Sequence, residues 1–249
     1  MVREFRTLRI HLMTKFTMLG WLRSWVYLLL LAPIVLASAQ VTPAPAPAAP
    51  VPVPAAPATG QVAPAPVPEW KPVVEGRALL DALRRGGFVI YLRHTSTDFG
   101  QNDEAMTSFA ECAKQRNLTD QGRAEARAIG SSLRKLRVRV GAVLASPFCR
   151  TVETARLAFG EPQVSHAVRG GPARPDAADR YAELRGLLAT RITSNTNTAI
   201  SSHGNPFFAV TGPPYLAEGE AAIVEPQDGA RFRIVARVKK DAWLDLEQR

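Results

Sequence analysis

The chain has 249 residues, with 31 lysines and arginines against 22 aspartates and glutamates, so its formal net charge is +9. Only two cysteines and four histidines are present, which excludes a cysteine-rich zinc site. The sequence contains no HExxH, P-loop or GxGxxG motif. It also lacks a basic stripe interleaved with aromatic residues, so we expect an anionic ligand and no nucleic acid.

Residues 1–39 have the pattern of a secretory signal. Basic residues precede an apolar run from Trp25 to Ala39, which ends in the small-x-small sequence Ala37-Ser38-Ala39. The run has 15 residues, fewer than the roughly 20 that span a bilayer. We therefore predict a cleaved signal, a periplasmic or secreted protein and no stable membrane insertion after cleavage. An uncleaved membrane anchor is the alternative, and Met13 and Met18 are alternative starts.

Residues 40–69 consist almost entirely of proline, alanine and valine. Proline removes backbone donors and alanine offers little area to bury, so this segment is predicted to be a disordered, extended linker. Removing residues 1–40 takes away five basic residues and one acidic residue, which leaves a net charge of +5. Residues 70–249 are long enough for a single core and are predicted to form one domain.

Helices and strands alternate along this domain. The sequence predicts a helix over 76–87, a strand over 88–92, a helix over 118–136 with Thr119 as its N-cap, a strand over 140–146, a helix over 150–159, a helix over 176–191, a strand over 197–202, and a hairpin formed by 221–226 and 231–238. This alternation indicates an α/β fold, with a mainly parallel sheet, helices on both faces and a C-terminal β-hairpin.

Cations and imidazoles follow three of these strands. Arg93 and His94 end the first strand, Arg150 closes the turn after the second, and His203 follows the third. In open parallel sheets, ligands bind beyond the carboxyl ends of the strands. The sequence therefore predicts that two arginines and two histidines share one crevice.

Four segments of the chain resemble the histidine phosphatase superfamily, which includes phosphoglycerate mutases and acid phosphatases. They are "YLRHTSTD", "QRNLTDQGRAEARAIG", "LASPFCRTVETARLAF" and "AISSHGN", and the resemblance covers most of Gly87–Trp243. It implies a phosphoglycerate mutase-like fold, with His94 as the nucleophile and Arg93, Arg150 and His203 as phosphate-binding residues. It implies no metal and no cofactor.

These residue types suit phosphoryl transfer. A neutral imidazole can attack phosphorus to give a phosphohistidine, and arginine forks can bind two phosphate oxygens together. Thr95 stands where the mutases carry glycine, which argues against mutase activity. We therefore predict a metal-independent phosphomonoester hydrolase of the histidine acid phosphatase type, acting on a small phosphorylated envelope or extracellular substrate.

Two other functions stay open at this point. One is a non-catalytic envelope module that binds a phosphate-bearing ligand through the same arginines. The other is a phosphohistidine-protein phosphatase similar to small cytoplasmic relatives, which fits the compact domain but not the export signal. The sequence leaves the substrate and the oligomeric state open.

No motif fixes the general acid that would protonate the leaving oxygen. We place it at Glu220, because the segment after His203 is expected to return over the pocket mouth with Glu220 at the start of a strand. Glu218 is the second choice, and Asp98 and Glu183 are further candidates.

The two cysteines, Cys112 and Cys149, are predicted to form a disulfide. Export to an oxidising compartment favours the bond, which would tie the loop after the first strand to the turn that carries Arg150. The alternative is two separate thiols.

Overall fold

A six-stranded mixed sheet forms the centre of this computed structural model, which describes residues 70–170 and 179–248. The strands are β1 (Val89–Arg93), β2 (Val140–Ala145), β3 (Gln163–Val164), β4 (Asn197–Ser202), β5 (Ala221–Gln227) and β6 (Arg231–Val238). Their order in the sheet is β3-β2-β4-β1-β5-β6. The strands from β3 to β1 pair in parallel, whereas β5 pairs antiparallel with both β1 and β6. The predicted mainly parallel sheet with a C-terminal hairpin is confirmed.

Five α-helices accompany the sheet in the described residues. They are α1 (Gly76–Arg85), α2 (Asp120–Lys135), α3 (Cys149–Ala158), α4 (Ala182–Ala189) and α5 (Gly204–Thr211). Thr119 caps α2 as predicted, since its hydroxyl oxygen accepts a 2.9 Å hydrogen bond from the Gly122 backbone N–H. The predicted helix over 176–191 is shorter in the structure, where α4 covers its centre, and its first residues lie outside the described ones. Strand β3 and helix α5 were not predicted from the sequence.

The side chains of β1 alternate between two hydrophobic clusters, one on each face of the sheet. Ile90 and Leu92 pack with apolar residues of α1 and α2, whereas Val89 and Tyr91 pack with residues of α4 and α5. All four side chains are buried. Because helices cover both faces, a central strand can be apolar on each side, which explains why "VIYL" is continuously hydrophobic.

Three parallel strands bring their carboxyl ends to one edge of the sheet. Arg93 is in register with Ser202, and Ala145 with Ser201. Backbone hydrogen bonds continue this alignment one residue further, since the His94 N–H donates to the Ser202 carbonyl at 2.9 Å. The residues that follow β1, β2 and β4 therefore begin side by side.

The predicted signal over 1–39 and the predicted linker over 40–69 lie outside the described residues. Within the part of the chain that the structure describes, no helix combines the length and the apolar character needed to cross a bilayer.

Candidate active site

The four residues predicted for the crevice line one pocket. Arg93, His94, Arg150 and His203 all contribute to a cavity of about 220 Å³ at the carboxyl edge of the sheet. This volume is below the roughly 300 to 1,000 Å³ of typical pockets for drug-sized ligands. The pocket therefore matches a small polar group better than a large apolar one.

His94 is held as a neutral imidazole at the end of β1. Its side chain is only 1% exposed, and its Nδ1 lies 3.0 Å from the Thr95 carbonyl oxygen. A carbonyl only accepts, so Nδ1 carries the proton and Nε2 keeps its lone pair. Burial lowers the pKa of His94 to about 3, and the nearby Arg150 and Arg93 charges act in the same direction. At neutral pH the imidazole is thus a free nucleophile.

His203 is fixed at the end of β4 by neighbours on several sides. The Tyr91 hydroxyl donates to its backbone carbonyl at 2.8 Å, and its Nε2 lies 2.9 Å from the Ser146 Oγ. Its ring meets the rings of His94 and Phe148 edge-on, with centroids 5.5 and 5.0 Å apart. Burial is the main cause that lowers the pKa of His203 well below its ordinary value.

Two glycines allow these groups to pack closely. A Cβ at Gly170 would lie 2.7 Å from the Cδ2 of the His203 ring, and one at Gly204 would lie 2.2 Å from the Tyr215 ring. Both distances are shorter than van der Waals contact. Any larger residue at Gly170 must therefore displace the buried His203 ring.

Three arginines line the pocket, although the sequence analysis named two. The Nη1 of Arg93 donates to the Leu216 carbonyl at 2.7 Å, and the Arg150 guanidinium stacks 4.4 Å from the centroid of Phe148. The third is Arg116. In each of the three, the Nε–H is buried without a hydrogen-bond partner in the described residues. This donor capacity is available to a bound anion.

Glu220 does not reach the pocket that it was predicted to cover. Its two carboxylate oxygens each accept a 2.8 Å hydrogen bond from Arg237, and one of them also accepts from the Ala217 N–H. The cause is the hairpin register, which places Arg237 of β6 opposite Ala222, close to the start of β5. Glu220 does lie directly before the start of β5, but its carboxylate forms an ion pair with Arg237 there.

Glu218 is the carboxylate closest to His94 among the predicted candidates. Its Oε1 accepts from the Thr97 hydroxyl at 2.8 Å, and lies 3.5 Å from the Arg93 Nη2 and 3.9 Å from the His94 Nδ1. It therefore stands at the protonated nitrogen of His94, away from the lone pair. This position suits orientation of Arg93 and His94.

The remaining two candidate acids are exposed. Asp98 accepts a 2.8 Å hydrogen bond from the backbone N–H of Gly100, and Glu183 lies on the outside of α4. Neither lines the pocket that contains His94.

A pocket carboxylate that the sequence analysis missed is Asp103. Its two oxygens accept hydrogen bonds from the Nη1 and Nη2 of Arg150 at 3.0 and 3.1 Å. Its Oδ1 also accepts from the backbone N–H of Arg116 at 2.9 Å. Asp103 and Arg116 share the irregular loop before α2, so no periodic pattern marks them. The predicted cysteine pairing was the available signal, since it brings this loop to the turn that carries Arg150.

A disulfide joins Cys112 to Cys149, with their Cα atoms 5.7 Å apart. The same connection is reinforced by the buried Gln115, whose side-chain oxygen accepts from the Cys149 N–H at 2.9 Å. Cys149 is the first residue of α3 and precedes Arg150. The loop that carries Asp103 and Arg116 is therefore fastened directly beside the Arg150 guanidinium.

Several solved structures are similar to this chain. The protein histidine phosphatase SixA, solved with tungstate, is 19% identical with a TM-score of 0.43, covering 61% of this chain and 97% of its own. A Mycobacterium tuberculosis protein is 20% identical with a TM-score of 0.44, at 61% and 97% coverage. A phosphoserine phosphatase mutant from Entamoeba histolytica is 11% identical with a TM-score of 0.43, at 62% and 98% coverage. No curated protein matches the sequence.

A family profile matches residues 89–171, and it describes the histidine phosphatase superfamily (branch 1). The matched range begins with β1 and includes Arg93, His94 and Arg150. His203 lies beyond it in sequence, and the parallel pairing of β1 with β4 brings it to the same pocket. Residues 89–171 are therefore similar in sequence to the histidine phosphatase superfamily.

Proposed function

We propose that the protein is a metal-independent phosphomonoester hydrolase that acts through a phosphohistidine on His94. The observation that carries this proposal is the buried, neutral imidazole with a free Nε2 in one pocket with the guanidinium groups of Arg93 and Arg150. A pocket that only held phosphate would need the arginines. The uncharged nucleophile is the additional feature that transfer chemistry requires.

The first step transfers the phosphoryl group to the protein. The Nε2 lone pair of His94 attacks phosphorus, the bond from phosphorus to the ester oxygen breaks, and the electron pair leaves with that oxygen. Arg93 and Arg150 neutralise the charge on the phosphate oxygens through this displacement. A bound dianion also favours protonation of His203, which opposes the effect of burial and gives the phosphate another donor.

The second step releases the phosphate. Water attacks the phosphorus of the phosphohistidine, the bond to Nε2 breaks, and the lone pair returns to His94. The protons of the attacking water stay on the phosphate, which then exchanges them with solvent, and the alkoxide or phenolate released in the first step takes its proton from solvent. Inorganic phosphate then leaves the pocket. The Thr95 carbonyl keeps the proton on Nδ1 in both steps, so Nε2 is regenerated in the reactive form.

Glu218 is proposed as a positioning residue rather than as the general acid. An in-line displacement sends the leaving oxygen to the side of phosphorus opposite Nε2, whereas Glu218 stands at Nδ1. Glu220 is occupied by Arg237. We therefore assign no side chain to protonation of the leaving oxygen, and expect the enzyme to favour esters with good leaving groups, which need little protonation.

The proposed substrate is a small phosphorylated molecule outside the cytoplasm. The cavity of about 220 Å³ supports the small size, and the positive balance of the pocket arginines supports the anionic group. The location rests on the signal-like pattern of residues 1–39 alone. We propose a periplasmic or secreted enzyme on that basis.

Hydrolysis of 4-nitrophenyl phosphate in the presence of EDTA tests the proposal. Wild-type protein should hydrolyse the ester, and His94→Ala should lose turnover while it still binds phosphate. His166→Ala is the matched control, since His166 is exposed and lies outside the pocket, and it should keep wild-type activity.

Three results would contradict the proposal. Wild-type protein that binds phosphate without any turnover would favour the non-catalytic binding module. Full activity of His94→Ala would remove His94 from the mechanism. Activity that disappears with EDTA and returns with a divalent metal would overturn metal independence.

A further inference from the structure

The phosphate-binding end of Arg150 is already occupied by a carboxylate of the same chain. Asp103 accepts from both Nη atoms of Arg150, at 3.0 and 3.1 Å, in the end-on fork that arginine also offers to phosphate. The Nη1 additionally donates to the Arg116 carbonyl at 3.1 Å. The ion pair with Asp103 thus uses the two Nη atoms, and the Nε of Arg150 is left buried without a hydrogen-bond partner in the described residues.

A carboxylate and a phosphate cannot both take this fork. Each has two oxygens spaced for the same pair of N–H donors, and both are negatively charged, so they exclude and repel one another at one guanidinium. Arg150 is 5% exposed and cannot swing away to serve two anions separately. A phosphate that binds both Nη atoms must therefore displace Asp103.

We propose that Asp103 is an internal competitor for the substrate phosphate at Arg150, and that it sets the apparent affinity of the site for phosphate groups. This inference rests on the proposed function, because that function makes Arg150 a phosphate-binding residue. The free protein holds the fork closed with Asp103, and the phosphate binds only to molecules in which Asp103 has left. The apparent dissociation constant then rises by the inverse of the open fraction.

The displaced carboxylate has a second cation beside it. The Oδ1 of Asp103 already accepts from the Arg116 backbone N–H, and the Arg116 guanidinium makes no ion pair with a described residue. Its contact is instead with the exposed ring of Phe99, whose centroid lies 5.0 Å away. Arg116 can therefore form an ion pair with the Asp103 carboxylate when phosphate binds Arg150. The displaced carboxylate then still has a cationic partner. The disulfide of Cys112 keeps this loop beside Arg150 throughout.

Displacement of Asp103 would have the same quantitative effect on the binding of unrelated anionic ligands. If Asp103 must leave before any anion binds, its substitution should lower the dissociation constant of every such anion by the same factor, whatever the charge of the anion. A general loss of negative charge near the pocket would instead favour dianions over monoanions, since Coulomb energy scales with ligand charge. If the substitution instead disordered the loop that carries Asp103 and Arg116, the binding of all these anions would be weaker.

The experiment compares Asp103→Asn with wild type for two ligands of similar shape and different charge. Phenyl phosphate is a dianion and phenyl sulfate is a monoanion, and their dissociation constants are measured by titration calorimetry on His94→Ala protein at pH 8. Asp103→Asn should lower both dissociation constants by about tenfold, which corresponds to the loss of one competing charge-assisted hydrogen bond. In active protein, the KM for 4-nitrophenyl phosphate should fall by the same factor with little change in kcat.

Glu104→Gln is the matched control, because it removes one negative charge from the neighbouring, exposed position of the same loop. It should leave both dissociation constants unchanged. Asp103→Ser provides a second variant if Asp103→Asn unfolds at lower temperature than wild type. Unchanged or weaker binding in these variants, or tightening confined to phenyl phosphate, would overturn the inference. If the wild-type protein bound both ligands but did not hydrolyse the ester, the proposed function would be contradicted. The effect of Asp103→Asn on the two dissociation constants would still test the role of Asp103.

Discussion

Loss of the Cys112–Cys149 bond should destabilise the domain by a large part of its folding free energy. The two cysteines are 37 residues apart in sequence. Closing a loop of this length in the unfolded chain corresponds to about 4 kcal/mol at 25 °C in the chain-entropy treatment. The free energy of unfolding of domains of this size is roughly 5 to 15 kcal/mol, so the bond contributes a substantial fraction of it. The expected fall in Tm is roughly 8 to 16 °C.

Urea unfolding with and without reductant measures this effect. The chain has only two cysteines, so a reductant acts on this bond alone. The Cys112→Ser/Cys149→Ser double variant should unfold at the midpoint of reduced wild type and should not respond to reductant.

Two outcomes would contradict this contribution of the disulfide to stability. A loss below about 1 kcal/mol on reduction would show that the loop is ordered without the bond, for example by the Gln115 contact to Cys149. A response of the double variant to reductant would show that the effect does not arise from this disulfide.

Three further predictions concern the pocket. Glu218→Gln should lower kcat by about tenfold on both nitrophenyl and alkyl phosphates, since a positioning residue has no leaving-group dependence; a larger loss on the alkyl ester would make Glu218 the general acid. Gly170→Ala should lower kcat/KM by at least about tenfold through displacement of the His203 ring, and wild-type kinetics would contradict the 2.7 Å contact. Because burial lowers the pKa of His94 from 6.5 to about 3, the unfolded chain binds more protons than the folded chain between these pH values. The free energy of unfolding should therefore decrease as the pH is lowered from 6.5 to about 3, by up to about 1.4 kcal/mol per pH unit. His94→Asn should reduce that slope in urea titrations, and an unchanged slope would place the titration elsewhere.

The position of the four central site residues follows from the sequence because strand ends are easy to recognise. A continuous apolar run such as "VIYL" indicates a buried central strand, and Arg93 and His94 stand where that run ends. Parallel pairing then places the residues after β2 and β4 at the same edge, which accounts for Arg150 and His203. Strand topology alone is therefore sufficient to predict that these four residues lie together.

The carboxylates could not be placed in the same way because a turn reverses between two of them. Gly219 has a φ of 76° and its N–H lies within hydrogen-bonding distance of the Arg93 and His94 carbonyls, so the turn docks on the end of β1. Glu218 on one side of it faces the site, and Glu220 on the other side faces Arg237. Hydrophobic periodicity contains no information about such a reversal.

Tertiary contacts also determine the other features that the sequence analysis missed. Asp103 lies in a loop without regular structure, and its place beside Arg150 depends on the loop's disulfide and on its own ion pair. The short apolar segment of α5 contains Pro206, which discourages a helix assignment, but this proline falls in the first turn, where a missing N–H is tolerated.

The phosphohistidine mechanism is tested by identifying which residue is phosphorylated during turnover. Wild-type protein is quenched in alkali within the first turnover of a ³²P-labelled aryl phosphate, and the labelled peptide is identified. We expect acid-labile, alkali-stable phosphate on the imidazole of His94, and no label in His94→Ala. Label on another residue, or turnover with no phosphorylated protein at any time point, would contradict it.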